Sequence, residues 1–276
     1  MLLEAHRSRL TQASVQPEAL ATRRDECSAP QCATWGSTDF CSSAGLDRQA
    51  MPDLKRFLTQ RTRFRKNDAL YRAGDRFSAL YAIRIGSCKT VLPAYDGQDQ
   101  IAGYHMAGET IGMDGVGNGV HDCEAVALED TEVCRMPFDQ LENLARVSGE
   151  FGRTLHKLLS QDNARLRAMM IILGTMRAEQ RLAAFLLELS QRYRARGYSS
   201  CEFALRMTRE EIGSYLGLKL ETVSRLFSRF QQEGLLQVRG RDVKLLDRIA
   251  LRQLIDGDVL CRDTRAPTLE KADAAA

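Results

Sequence analysis

The spacing of apolar positions changes period along this chain, and each change marks a different element. From Pro52 to about Pro137 short β-runs alternate with glycines. "ALYAIRIGSCKTVLP" alternates like a strand, turns at Gly86 and resumes, and glycines at 97, 103, 108, 112, 115, 117 and 119 punctuate the rest. That texture predicts a small antiparallel roll. From about Glu150 through Arg177 the period becomes helical. Leu155, Leu159, Asp162, Leu166, Met169, Leu173 and Met176 follow in 4-3-4-3-4-3 steps, flanked by Arg153, Lys157, Arg165 and Arg167. One heptad seam bordered by charge favours a partner helix over a domain core, which makes these seven residues a candidate dimer interface. "RAEQRLAAFLLELSQRYRARGYS" predicts a further helix. Before Pro52 no period holds, and the small, alanine-ended stretch Arg265–Ala276 predicts a frayed end.

The sharpest pattern lies between Met207 and Leu246. Thr208 and Glu211 have capping-box spacing, which starts a helix at about Arg209. Ile212, Tyr215 and Leu216 continue it, and Gly217 breaks it. A second helix runs from about Leu220 to Gly234. Two short helices around a glycine turn form a helix-turn-helix. In the second helix Val223, Leu226, Phe227 and Phe230 make an apolar stripe, while Glu221, Ser224, Arg225, Ser228 and Gln232 share the opposite face. Guanidinium, carboxylate and hydroxyl groups can all read base edges, and the first residues of such a helix enter the major groove deepest. The candidate DNA contacts are therefore Glu221, Thr222, Ser224, Arg225 and Ser228, with Thr208 and Arg209 at the start of the preceding helix. Leu235–Arg239 and Val243–Leu246, joined by Gly240-Arg241-Asp242, predict a hairpin wing.

Composition narrows the class. The 276 residues, 44% of them hydrophobic, suffice for two cored domains. The longest apolar runs, Ala168–Leu173 and Leu182–Leu187, are too short to span a bilayer, and the N-terminus lacks a signal-peptide layout. A cytoplasmic protein with no membrane partner is expected, and its eight cysteines should be thiols or metal ligands. The net charge of +3 is uninformative, but from Gln191 to Arg248 twelve Lys and Arg face seven Asp and Glu, which suits a phosphate backbone. His6, His105, His121 and His156 sit in unrelated contexts without a nucleophile motif, so no enzyme is expected.

"MTREEIGSYLGLKLETVSRLFSRFQQEGLL" resembles the helix-turn-helix of the CRP/FNR superfamily of bacterial transcription regulators, and "ETVSR" resembles its FNR branch, which carries Glu-x-x-Ser-Arg. The resemblance implies that Glu221, Ser224 and Arg225 read bases in an inverted repeat of the form TTGAT…ATCAA, with half-sites about one helical turn apart. "YRAGD", "LYAIRIGSCKT" and "GYHMAGETIGMDG" resemble the family's cyclic-nucleotide-binding roll. The family also implies a parallel homodimer and RNA polymerase as a partner, through the loop around Tyr95–Asp99.

Cys27, Cys32 and Cys41 cluster in the aperiodic N-terminal segment, and four thiolates can hold an iron–sulfur cluster. "EVCRMPF" resembles the FNR segment that carries a distant ligand, which maps to Cys134; Cys32 and Cys41 fall where the N-terminal ligands of that branch lie. The branch usually has a tighter Cys-x-x-Cys pair, and here Trp35 stands three positions after Cys32. Cys27 would then complete a Cys-x4-Cys-x8-Cys set for a 4Fe–4S cluster. Zinc, a thiol redox switch or no ligand are the alternatives. Cys88, Cys123, Cys201 and Cys261 are expected to pack as small apolar residues.

A cyclic nucleotide is not expected. Gly108-Glu109 and Gly112 match the phosphate turn, but "GVHDCEAVALED" brings no arginine and adds Asp122 and Glu124. Asp162 interrupts the seam: it either swings out to Arg165 or Arg167, or it keeps the dimer weak until the sensor acts. The whole reads as α+β, with a cyclic-nucleotide-binding-like roll, a long dimerisation helix and a C-terminal winged helix-turn-helix. Its divisions are a cysteine-containing sensor segment at 1–51, the roll at 52–145, the dimerisation helix at 146–178, the DNA-binding unit at 179–255 and a tail at 256–276. The runner-up is a regulator of the same family without a cluster, answering to a thiol change or a small molecule.

Overall fold

A computed structural model describes residues 61–93 and 99–262. Cys27, Cys32, Cys41 and most of the Tyr95–Asp99 loop lie outside the described residues. In the N-terminal half, strands β1 (Arg61–Phe64), β8 (Thr131–Pro137), β3 (Ala79–Ile85) and β6 (Thr110–Ile111) make one four-stranded sheet in that order. Strands β2 (Ala69–Tyr71), β7 (Glu124–Ala127), β4 (Ser87–Leu92) and β5 (Gln100–Met106) make a second. All their pairings are antiparallel.

Side-chain alternation gives each sheet two apolar faces. Ile83 and Val133, paired across β3 and β8, point between the sheets and pack with Leu70, Tyr71, Cys88 and Ile111. Leu80, Ala82, Cys134 and Met136 point the other way, under Leu141 and Phe151. Those two belong to helices α1 (Phe138–Val147) and α2 (Gly149–Thr175). The sequence pattern had not separated α1 from the end of the roll. Ser148 divides the two helices: its hydroxyl accepts the Phe151 N–H (3.3 Å), which caps α2.

Much of the outer face of the second sheet is covered by the C-terminal unit. Val91, Ile101, Tyr104 and Met106 share one core with the C-terminal unit, alongside Leu186, Phe203, Ile212 and Phe230. That unit consists of α3 (Ala178–Ala195), β9 (Glu202–Ala204), α4 (Arg209–Leu216), α5 (Leu220–Gln232), β10 (Leu236–Arg239), β11 (Asp242–Leu245) and α6 (Arg248–Arg262). The expected wing hairpin forms, with Leu236 opposite Leu245, and β9 adds a third strand beside β11. Helix α6 runs on to Arg262, into the stretch where the sequence pattern places a tail. Among the described residues no helix is long and apolar enough to cross a membrane.

Between α2 and α3 the chain is extended at Met176 and Arg177. Arg181 bridges this joint, donating to Leu173 O (2.7 Å), Met176 O (2.9 Å) and Leu216 O (3.0 Å). One guanidinium thereby satisfies terminal carbonyls of both α2 and α4.

Candidate nucleic-acid interface

The reading helix α5 is held by two local devices. The capping box at the start of α4 is formed in both directions: Glu211 N–H donates to Thr208 Oγ1 (3.1 Å) and Thr208 N–H to Glu211 Oε2 (2.7 Å). At the other end of α4, Gly217 sits in the left-handed region (φ +62°), and Leu218 N–H returns to Gly213 O (2.8 Å). A Cβ on Gly213 would lie 2.6 Å from Leu218 O, so the turn closes only around a glycine. These contacts fix the angle at which α5 leaves the turn.

On α5 the two faces separate as expected. Val223, Phe227 and Phe230 are buried, and Glu221, Ser224, Arg225 and Ser228 are exposed on the opposite side. Thr222 is half-buried, and Ser228 Oγ donates back to Ser224 O (3.1 Å). Thr208 is occupied as the cap. Arg209 lies across the Phe227 ring, its guanidinium carbon 3.4 Å from the ring centroid, so its reach differs from that of Glu221 and Arg225.

The C-terminal unit is fastened to the roll by polar contacts as well as by the shared core. β5 is an edge strand, whose outward backbone groups need partners. Ser214 Oγ of α4 accepts from Ile101 N–H (3.0 Å) and donates to Asp99 O (3.3 Å). Lys89 Nζ lies 2.7 Å from Glu211 Oε1, and Arg206 pairs with Glu129 (3.2 Å). Most of the charge gathers on Glu109, whose side chain is only 3% exposed. It receives Arg192 (2.8 Å) and Arg196 (2.5 Å) from the end of α3, and Arg165 (3.3 Å) from α2. Burial alone would raise this carboxyl; the three guanidiniums overcome it and hold the group down at about 2.

Beside this cluster a cavity of about 690 Å³ separates the roll from α2 and the C-terminal unit. Its wall includes Tyr71, His105, Asp114, Asp122, Asp162 and Arg192. Asp162 is half-buried there, and burial, with Asp114 and Glu109 adding to it, raises its carboxyl against the pull of Arg165. The outward pairing of Asp162 with Arg165 or Arg167 is not made among the described residues, because Arg165 turns to Glu109.

The seam residues divide. Leu155 packs on the chain's own roll core and Met169 on the core shared with the C-terminal unit, whereas Leu166 is 50% exposed. Met170 (72%) and Ile171 (59%), outside the heptad positions, stand still further out.

Among the described residues no group of three or more His, Cys, Asp or Glu is placed to hold a metal ion. Cys134 is the described member of the expected thiol set. It lies on the helix-covered side of its sheet and is paired across strands with Arg61, the residue by which the chain enters β1. Burial pushes its thiol up, and Arg61 and Arg84 partly offset this. Cys88 and Cys123 are buried as expected, and both thiols are pushed up to about 12, chiefly by burial.

A winged helix-turn-helix with an exposed polar reading face, joined by a long helix to an antiparallel roll, defines a DNA-binding transcription regulator. The comparisons agree with that class. Residues 180–254 match the Crp-like helix-turn-helix domain, and residues 61–148 match the cyclic nucleotide-binding domain. The chain is 44% identical to the transcriptional regulatory protein btr of Bordetella pertussis over 227 residues, which is 82% of this chain and 94% of that protein. It is 37% identical to the fumarate and nitrate reduction regulatory protein of Escherichia coli K12 over 240 residues, 86% of this chain and 96% of that one. The solved structure of FixK2 from Bradyrhizobium japonicum superposes with a TM-score of 0.66 at 30% identity, covering 71% of this chain and 96% of that one. The chain belongs to the CRP/FNR family of transcription regulators.

Proposed function

We propose that this chain is an FNR-type, non-enzymatic regulator that acts in the cytoplasm and binds an inverted repeat resembling TTGAT…ATCAA as a homodimer. One observation carries the reading: Glu221, Ser224 and Arg225 stand together on the exposed face of α5, while Val223, Phe227 and Phe230 anchor the other face. Glu221 accepts from a cytosine amino group, Arg225 donates to guanine, and the Ser224 hydroxyl serves either partner. Dimerisation along α2 places two such helices at the spacing of adjacent major grooves, so both half-sites are engaged together. The apolar surface of Leu166, Met170 and Ile171 supports that pairing. RNA polymerase is the protein partner in this reading, through the loop at Tyr95–Asp99.

Cys27, Cys32, Cys41 and Cys134 would hold a 4Fe–4S cluster, whose presence supplies an oxygen-labile tie between the N-terminal segment and the roll. In support, Cys134 is a soft thiol donor beside the strand through which that segment enters, and two arginines favour its thiolate. It also packs against Phe151 near the start of α2, so a tie at this point bears on the dimerisation helix. No cyclic nucleotide is assigned to the cavity, because Arg165 and Arg192 are engaged by Glu109, and Asp114, Asp122 and Asp162 would repel a phosphate. The cavity itself favours the second reading, in which a small uncharged molecule replaces the cluster as the signal.

The deciding experiment is anaerobic purification with iron and sulfide analysis, followed by gel-shift on the inverted repeat before and after exposure to air. The proposal expects a coloured, iron-containing protein whose retarded band weakens in air. A colourless, iron-free protein that shifts the repeat equally in both conditions removes the cluster and leaves the second reading.

A further inference from the structure

Three parts of the molecule meet on one carboxylate. Glu109 sits in the turn between β5 and β6, where its own N–H returns to Met106 O (3.1 Å) and fixes it to the roll. Arg165 comes from α2, 3.3 Å away. Arg192 and Arg196 come from the end of α3, the first helix of the DNA-reading unit. Both also bond the roll backbone, Arg192 to Tyr104 O (2.7 Å) and Arg196 to Ala107 O (2.6 Å). Their side chains are 14% and 8% exposed, so water compensates little of their charge. Without Glu109, the guanidiniums of Arg192 and Arg196 would be left together in a poorly solvated seam with Arg165 at its more exposed edge; among the described residues Arg192 would keep Glu188 at 3.6 Å, Arg165 would keep the pull of Asp162, and Arg196 makes no other ion pair. Such a seam relaxes most easily by parting.

We propose that Glu109 is a positioning residue: it fastens the DNA-reading unit to the roll and, through Arg165, ties that unit's orientation to the dimerisation helix. Arg165 lies one turn beyond Asp162 on α2. A change in how α2 packs against its partner therefore moves one of the cations on the same carboxylate that holds α3. The turn that would be expected to hold a ligand phosphate instead holds the chain's own arginines. The fastening itself stands on the single-chain contacts, while its consequence for operator binding rests on the dimeric DNA-binding reading above.

The test uses the full chain and two variants, Glu109→Gln and Arg165→Gln, with hydrogen exchange, sedimentation and operator binding measured on each. In Glu109→Gln the amide of Ile101, which donates to Ser214 across the seam, should exchange at least tenfold faster, while β3 and β8 keep their protection. Equal exchange at Ile101 in variant and parent overturns the fastening, whatever the DNA result. If β3 and β8 also lose protection the variant has unfolded, and Arg165→Gln, whose side chain is 47% exposed and so should be replaceable without unfolding, decides instead: faster exchange at Ile101 supports the fastening and equal exchange overturns it. Arg165→Gln should dimerise as the parent does yet bind the inverted repeat at least fivefold more weakly. Unchanged operator affinity overturns the link to α2. A parent chain that binds no inverted repeat refutes the DNA-binding reading instead, and the Ile101 exchange still judges the fastening.

Discussion

Lys89 on β4 of the roll and Glu211 on α4 form an ion pair of 2.7 Å, and Glu211 is also the residue that closes the capping box with Thr208. One carboxylate thus starts a helix and docks it. Burial pushes the Glu211 carboxyl up, but the Lys89 ammonium and the Thr208 N–H outweigh it, and the net direction is down. Removing each partner should separate the two duties. Lys89→Ala loses the pair alone, whereas Glu211→Ala loses the pair and the return half of the capping box, the bond from Thr208 N–H to the Glu211 carboxylate. The Thr208 hydroxyl still caps the helix in that variant, so Glu211→Ala should be the more destabilising by about 1 kcal/mol, the net contribution of the one hydrogen bond lost, in urea unfolding. Equal losses would show that this return bond contributes nothing here.

The acid side of the stability profile should fall in two stages. His105 is buried with Nε2 3.1 Å from Thr90 Oγ1, and burial lowers it from 6.5 to about 4 despite the nearby Glu109. Between those values the unfolded chain takes up a proton that the folded chain refuses. Stability therefore rises with pH across that window and is lost as pH falls from 6.5 toward 4. The loss is on the order of 3 kcal/mol. Glu109 acts lower: its contribution is complete above 4.5 and disappears as pH falls toward 2. His105→Gln should flatten the first stage and leave the second, as read by denaturant midpoints at each pH. A profile of the variant that still drops between pH 6.5 and 4 would assign the first stage elsewhere.

Glu221→Ala and Arg225→Ala should leave the fold intact, since both side chains are exposed and neither belongs to the apolar stripe. Each should weaken operator binding by about 1–3 kcal/mol and relax the preference at one base pair of each half-site. Binding measured against single-base operator variants separates this from a phosphate contact, which would weaken every sequence alike. A uniform loss would move Arg225 from base reading to the backbone.

What the chain discloses before folding depends on how far apart the partners lie. The capping box, Gly217 and the stripe of α5 are relations within a few residues, and all were legible. Glu109 was legible as part of a Gly-Glu-x-x-Gly turn, but its arginines lie 56, 83 and 87 residues away, and no local pattern announces them. Helix α1 escaped for another reason. Its ten residues follow β8 directly, half of them polar, and Leu141 is the one fully buried anchor. Strand β9 has three residues and takes its identity from β11 beside it. On α2 the heptad was visible, but which of its residues face the chain's own cores was not. Met170 and Ile171 lie off the seam and are nonetheless the large apolar residues of α2 left most exposed.

Asp162 offers the clearest test of the proposed dimerisation along α2. It occupies a seam position between Leu159 and Leu166, half-buried, and its carboxyl is raised chiefly by burial. Arg165, the cation best placed to neutralise it, is drawn to Glu109 instead. If the proposed dimer pairs along α2 in two-fold symmetry, each Asp162 would also approach the seam of the other copy, and two carboxylates would oppose the association that the flanking leucines favour. Asp162→Ala removes that opposition and adds an apolar group, so the variant should dimerise several-fold more tightly than the parent in air and without any cofactor. Operator affinity should rise with it, because the second half-site is then engaged at lower protein concentration. Sedimentation equilibrium on parent and variant measures the first effect and gel-shift titration the second. An unchanged monomer–dimer constant would dismiss the role of Asp162. A tighter dimer with unchanged operator affinity would place control of DNA binding in the Glu109 fastening rather than in the dimer seam.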